Sequence, residues 1–226
     1  MYKSITDKFV GVLFCGGRGT RLGEIAKFVS KSFVPIYDRP VFRYGLDLLE
    51  TCSAIDEIVI LTNPENDEKL RKLGYQTIIQ DDKRVSDMFT GWQFVRAVLK
   101  TEKHGVLVPS DNLANINLDR LIEVFLEKNA DTAFSLFEVA DHEKLAEMGV
   151  FDPETKSYFY KHPAPPTPFG VVAPFIIHNA IEAARGEEII GNPNAAWQKH
   201  DGYWYDVGDY DSLVQASSFM QKRMKK

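Results

Sequence analysis

Residues 15–35 read CGGRGTRLGEIAKFVSKSFVP and follow directly on the apolar run Phe9-Val10-Gly11-Val12-Leu13-Phe14. A short apolar run bounded by glycine predicts a buried strand. Gly16, Gly17 and Gly19 then give a backbone that a ligand can approach closely, and Arg18 and Arg21 supply cations suited to a polyphosphate. Lys31 lies between Ser30 and Ser32, just ahead of Phe33-Val34-Pro35-Ile36, where its ammonium could reach back over whatever the glycine loop holds. Two phosphate motifs are excluded. A P-loop requires Gly-Lys-Ser/Thr, and the chain has no Gly-Lys pair. The dinucleotide fingerprint fails because Leu22 occupies the third glycine position and Gly23 comes one residue late. It fails also because Leu61-Thr62-Asn63-Pro64 closes the next apolar run without an acidic residue.

Outward from this stretch, Val41 to Thr51 carries Phe42, Leu46 and Leu49 at helical spacing, with Pro40 suited to a first turn. Glu57 to Leu61 reads as a second buried strand, Glu65 to Leu73 as a helix stopped by Gly74, and Thr77 to Ile79 as a third strand. Met88 to Leu99 and Asp119 to Lys128 are helical, the latter beginning at Asn117 or Asp119; Gly105 to Val108 and Thr132 to Val139 are strands. The alternation predicts right-handed crossovers and a Rossmann-like α/β fold, a mostly parallel mixed sheet with helices on both faces. Ligands of such sheets gather at the carboxyl ends of the strands, where the glycine loop falls. Asp111 follows the Gly105–Val108 strand at such an end, and reads either as a magnesium ligand or as a turn cap. Further on, Gly149 to Asp152 and Tyr158 to Lys161 form a hairpin, and His162 to Pro168 is too rich in proline for anything but an extended loop.

The chain has 226 residues, 44% hydrophobic and 26% charged, which describes one globular domain over 1–226 rather than a disordered chain. No apolar run reaches the ~20 residues of a bilayer span, and charge interrupts the amino terminus where a signal core would lie. Two cysteines, Cys15 and Cys52, make no disulfide framework and fit a reducing cytoplasm; Cys15 reads as a small buried residue ending a strand rather than a nucleophile. A formal net charge of −5 argues against bulk nucleic-acid binding and leaves any polyanion to a local cluster. The histidines have no zinc-ligand spacing.

The stretches Gly16-Gly17-Arg18-Gly19-Thr20-Arg21-Leu22 and Ser30-Lys31-Ser32-Phe33-Val34-Pro35-Ile36 resemble the signature of the sugar-phosphate nucleotidylyltransferases, most closely the glucose-1-phosphate thymidylyltransferase branch. Ser30 stands where many relatives have proline. The resemblance implies a nucleotide-diphospho-sugar transferase fold, with about residues 1–135 holding a nucleoside triphosphate and about 136–210 holding a sugar 1-phosphate or similar phosphorylated acceptor. It implies catalytic roles for Arg21 and Lys31, and nucleotide binding by Gly16, Gly17, Gly19, Thr20, Gln80 and Ser86. Asp111 and Asp206 become ligands of Mg2+, Asp206 through the segment Trp204-Tyr205-Asp206-Val207-Gly208, with Asp211 as a helix cap. Lys161 and Val172 fall on the acceptor side, with an exposed strand end as the alternative reading of Lys161.

Departures from the family pattern are localised. Arg84-Val85-Ser86 replaces a Gly-Leu-Ala segment that faces the base, Lys161-His162-Pro163 replaces Glu-Lys-Pro, and Val172-Ala173 replaces threonine and glycine. These leave base and acceptor open, and keep two alternatives in play: a cytidylyltransferase acting on a non-sugar phosphate, and a non-catalytic nucleotide-binding regulatory protein. Partners beyond small molecules, nucleic acid and membrane included, are not expected, and assembly into a homo-oligomer is left open.

Overall fold

The computed structural model describes residues 8–17, 19–182 and 185–225. In chain order the elements begin with β1 (Phe9–Cys15), a 3-10 run Thr20–Lys27, a 3-10 turn Lys31–Phe33, β2 (Pro35–Ile36), β3 (Arg39–Pro40) and α1 (Phe42–Thr51). Next come β4 (Ile55–Thr62), α2 (Pro64–Lys72), β5 (Thr77–Ile79), α3 (Met88–Leu99), β6 (His104–Pro109), β7 (Asn112–Ala114) and α4 (Leu118–Glu127). The second half holds β8 (Thr132–Glu138), α5 (His142–Ala146), β9 (Gly149–Asp152), β10 (Ser157–Tyr160), β11 (Phe169–Ile177), α6 (Gly186–Ile190), β12 (Ala195–His200), β13 (Trp204–Asp206) and α7 (Tyr210–Met224).

The main sheet has nine strands in the order β10-β9-β11-β6-β1-β4-β5, with β8 pairing β11 and β12 pairing β8. Strands β5, β4, β1 and β6 run parallel, as the strand and helix alternation predicts. Beyond β6 the sheet reverses, because β11 runs antiparallel to both β6 and β8. The fold is therefore the mixed, mostly parallel α/β sheet expected.

Side chains of β1 alternate between two cores. Phe9, Leu13 and Cys15 pack with Phe42, Leu46 and Leu49 of α1 and with Leu121 and Phe125 of α4. Val10 and Val12 face Phe89, Trp92 and Val95 of α3 and Ile189 and Ile190 of α6. Strands buried on both faces need helices on both faces, and this chain supplies them.

Helix boundaries follow from local chemistry. Asn63 caps α2, its side chain accepting from Asn66 N at 3.0 Å, and Pro64 occupies the first helical position where no N–H is needed. Asp87 and Thr90 form a reciprocal capping box on α3, and Asn117 caps α4. At α7 the cap is Asp209 rather than Asp211: only Asp209 stands three residues ahead of Ser212, whose N–H it accepts at 2.8 Å while Ser212 Oγ takes the Asp209 N–H at 3.1 Å. Among the described residues no helix is long and apolar enough to cross a membrane.

Candidate active site

The carboxyl ends of β1, β5 and β6 open on a cleft of about 340 Å³ lined by Gly16, Gly17, Lys31, Gln80, Ser86 and Asp111, among others. Gly19, in the left-handed region at φ +64°, sets the turn that brings the glycine loop onto the Lys31 turn; a Cβ there would stand 2.8 Å from Lys31 Cβ. Loop and lysine therefore form one site. Thr20 is exposed at the start of the 3-10 run, and Arg18 of the same motif lies outside the described residues.

Lys31 is buried, and its Nζ donates to Asp111 Oδ2. Ser32 Oγ and Ser110 Oγ lie 2.8 Å apart, so the end of β6 is tied to the lysine turn. Asp206 reaches the same place through the short β7/β13 ladder, in which Asp206 pairs with Asn112 and Val207 N donates to Asp111 O at 2.8 Å. Burial first, and then the charge of Asp111, push the Asp206 carboxyl above the usual carboxylate range, against the pull of Lys31, Arg21 and Lys144. A buried carboxylate that stands in the field of a second one is suited to a cation shared with it.

A second cleft, of about 720 Å³, lies on the far side of Asp206 and is lined by Arg21, Lys144, Lys161 and Trp204 among others. Gly208 makes room for Arg21, since a Cβ at Gly208 would stand 2.8 Å from Arg21 Nη2. The guanidinium of Arg21 thus sits on the Asp206 side of the site. Lys161, at φ +50°, lies 3.6 Å from Glu147 Oε2. Val172 is buried behind this cleft, packed with Ala114, Ile116, Met148 and Trp204. Its influence on a bound molecule would pass through Met148 and Trp204, which do line the cleft.

At the Gln80 and Ser86 end of the first cleft, Gln80 donates from Nε2 to Asp82 Oδ1 at 2.7 Å, and its Oε1 lies over Gly16, 1.9 Å from where a Cβ would stand. The Ser86 N–H goes to Thr90 Oγ1 at 3.0 Å, inside the α3 cap. Three contributors were given no role by the sequence reading. Lys144 comes from the one-turn helix α5 and lies 4.9 Å over the Trp204 ring. Asn112 bridges Trp204 Nε1, at 2.9 Å, to Asp111 Oδ1, at 3.1 Å. Asn66 holds the Cys15 carbonyl beneath the glycine loop. The adjacency of Asn112 to Asp111 was a usable signal; the other two follow no spacing rule. Cys15 is no nucleophile, because burial pushes its thiol up to about 12.

Among the described residues no cluster of three or more His, Cys, Asp or Glu is poised to hold a metal ion. Magnesium asks for less, commonly one or two carboxylates with the rest of its shell from water and substrate phosphates, and Asp111 with Asp206 fit that donor set.

Fold and site together define an α/β protein whose two clefts meet at a pair of aspartates. The chain belongs to the nucleotidyl transferase family, whose signature matches residues 10–167. It is 24% identical over 243 residues to the glucose-1-phosphate thymidylyltransferase of Neisseria meningitidis serogroup A, covering 93% of this chain and 82% of that one. A probable molybdenum cofactor guanylyltransferase of Thermococcus gammatolerans is 36% identical over 72 residues, covering 32% of this chain and only 35% of its own length. Among solved structures, a putative glucose-1-phosphate thymidylyltransferase from Bacillus anthracis in complex with sucrose superposes with a TM-score of 0.79 at 17% identity, covering 93% and 94% of the two chains. UTP-bound UGPase from Acinetobacter baumannii gives 0.75 at 15% identity, covering 94% and 93%. At these identities the structural likeness speaks for the fold.

Proposed function

We propose that the chain is a nucleotidylyltransferase that joins a nucleoside triphosphate to a sugar 1-phosphate or similar phosphorylated acceptor and releases pyrophosphate. The observation that carries this reading is the convergence of Lys31, Arg21, Asp111 and Asp206 where the two clefts meet. The triphosphate lies in the cleft of Gly16, Gly17, Gly19 and Thr20, with Gln80 and Ser86 at the base, so residues to about 135 serve the donor. Lys144 and Lys161 meet the acceptor in the other cleft, in the part of the chain from about 136 to 210.

An acceptor phosphate oxygen attacks the α-phosphorus while the bond to the β-phosphate oxygen breaks, and pyrophosphate departs. The nucleophile is already an anion, so no general base and no covalent intermediate are needed. Catalysis then consists of aligning two anions that repel and placing cations where charge accumulates. Lys31 neutralises the α-phosphate, and Arg21, backed on Gly208, holds charge at the junction of the clefts. Asp111 and Asp206 would hold magnesium, which when bound supplies counter-charge to the phosphates.

A non-sugar acceptor is the second reading. Its support is the short match to the guanylyltransferase and an acceptor cleft that presents Lys144 and Lys161 where the sequence lacks the family's glutamate. The pair of free buried thiols is consistent with a cytoplasmic setting, and the net charge of −5 offers no general attraction to nucleic acid or anionic membrane. The test is pyrophosphate release across the nucleoside triphosphates with magnesium and either pooled sugar 1-phosphates or pooled non-sugar phosphate monoesters. Turnover with at least one pair is expected, and Lys31→Ala should lower kcat by about 10²–10³ with an unchanged far-UV spectrum. An unchanged rate removes Lys31 from the mechanism, and silence with every triphosphate and both acceptor types overturns the reading.

A further inference from the structure

Beneath the glycine loop lies a side chain that the mechanism does not use. Asn66, on the first turn of α2, is completely buried, and both protons of its amide are engaged: Nδ2 donates to Cys15 O at 3.0 Å and to Ser30 Oγ at 2.9 Å. The carbonyl of Cys15 can only accept, so the amide must face it with nitrogen. Asn66 Oδ1 is left without a partner, a desolvation cost the fold bears to keep this orientation. One end of the bridge is the last residue of β1, where the glycine loop departs. The other is the residue immediately before Lys31.

Ser30 has φ −59° and ψ 143°, backbone angles that a proline ring would impose, and its N–H makes no hydrogen bond among the described residues. Its carbonyl accepts from Phe33 N at 2.8 Å and so sets the turn that aims Lys31. We infer that Asn66 is a positioning residue: through Ser30 it fixes the turn presenting Lys31 to the phosphates, a constraint that proline at position 30 would supply without it. The inference rests on the nucleotidyl-transfer reading only for its kinetic consequence. The geometric one stands apart from it.

Four proteins test it: the parent, Ser30→Ala, Asn66→Ala, and Asn66→Ala combined with Ser30→Pro. In the pyrophosphate-release assay Ser30→Ala and Asn66→Ala should each lower kcat by about 10- to 100-fold, the size of effect that a misplaced catalytic group gives. KM for the acceptor should stay within about twofold, since uniform substrate binding is untouched. Adding Ser30→Pro to Asn66→Ala should return kcat to within about threefold of the parent while the thermal midpoint stays low, because Cys15 O is left with only the longer contact from Ser32 Oγ, at 3.4 Å. Amide hydrogen exchange of the apo proteins gives the readout that needs no activity. The Phe33 and Val34 amides should exchange at least about tenfold faster in Ser30→Ala and return to parental protection in the proline double variant. A parental kcat in Ser30→Ala, or a loss that proline does not repair, overturns the inference. So does unchanged exchange at Phe33 and Val34. Should the parent itself be silent in every assay, the functional reading fails while the exchange result still decides the positioning role. Should Asn66→Ala fail to fold, Ser30→Ala against Ser30→Pro decides it by the same two measurements.

Discussion

Asp206 carries an electrostatic conflict at the site. Its carboxyl is raised by burial and by Asp111, so ionising it costs more in the folded chain than in the unfolded one. That cost is absent below the ordinary carboxylate range, where both states are protonated, and is complete above the raised value. Asp206→Asn should therefore raise the thermal midpoint at neutral pH, in the absence of divalent cations, by about 2–4 °C, and the gain should vanish in acid. A midpoint that falls at neutral pH would show that Asp206 is paid for elsewhere in the fold. The places of Lys31 and Asp111 were legible in the sequence, because a residue that follows a strand or precedes a short apolar run announces its position; Asp206 was marked only by its resemblance to a family motif. Lys144 was not, since nothing in His142–Ala146 marks a one-turn helix folding back over Trp204. Gly208 was legible as part of a motif, but its contact with Arg21 was not.

Among the elements, the parallel strands and α1 to α4 were readable because continuous apolar runs and helical periodicity are strong signals when both faces of a sheet are covered. Strand β12 escaped. Ala195-Ala196-Trp197-Gln198-Lys199-His200 lies at the sheet's edge with Lys199 exposed, and the burial that makes a strand conspicuous is missing there. The cap of α7 was misassigned by two residues, since Asp209 and Asp211 are both candidates until the partner Ser212 is considered. The Asp209 carboxyl is held below its usual range by the backbone and hydroxyl of Ser212. Its contribution is thus present above the unfolded carboxylate pKa and is lost as pH falls through the depressed folded value. Asp209→Ala should cost about 1 kcal/mol in denaturant unfolding at pH 7. Asp211→Ala should cost a few tenths at most, as exposed substitutions do. Equal losses would return the cap to Asp211.

Over the whole molecule, the nine-stranded sheet is complete at β12, yet the site is not. Helix α7 packs Ala216 and Met220 on Ile36, Val41, Leu113 and Val207, and Ser217 Oγ accepts from Tyr37 N at 3.1 Å. A chain ended at Asp201 keeps every strand of the main sheet but loses Asp206 and uncovers that apolar group. It should keep a far-UV spectrum with strand content near the parent's, bind a hydrophobic dye, and release no pyrophosphate even with excess magnesium. Retained turnover would remove Asp206 and the β7/β13 ladder from the mechanism.

That ladder also has a bearing on how the protein is made. Lys31 and Asp111 leave the ribosome before β13, the strand that delivers the opposing carboxylate. A nascent chain can thus build its glycine loop and parallel strands before Asp206 is there to face Lys31 and Asp111.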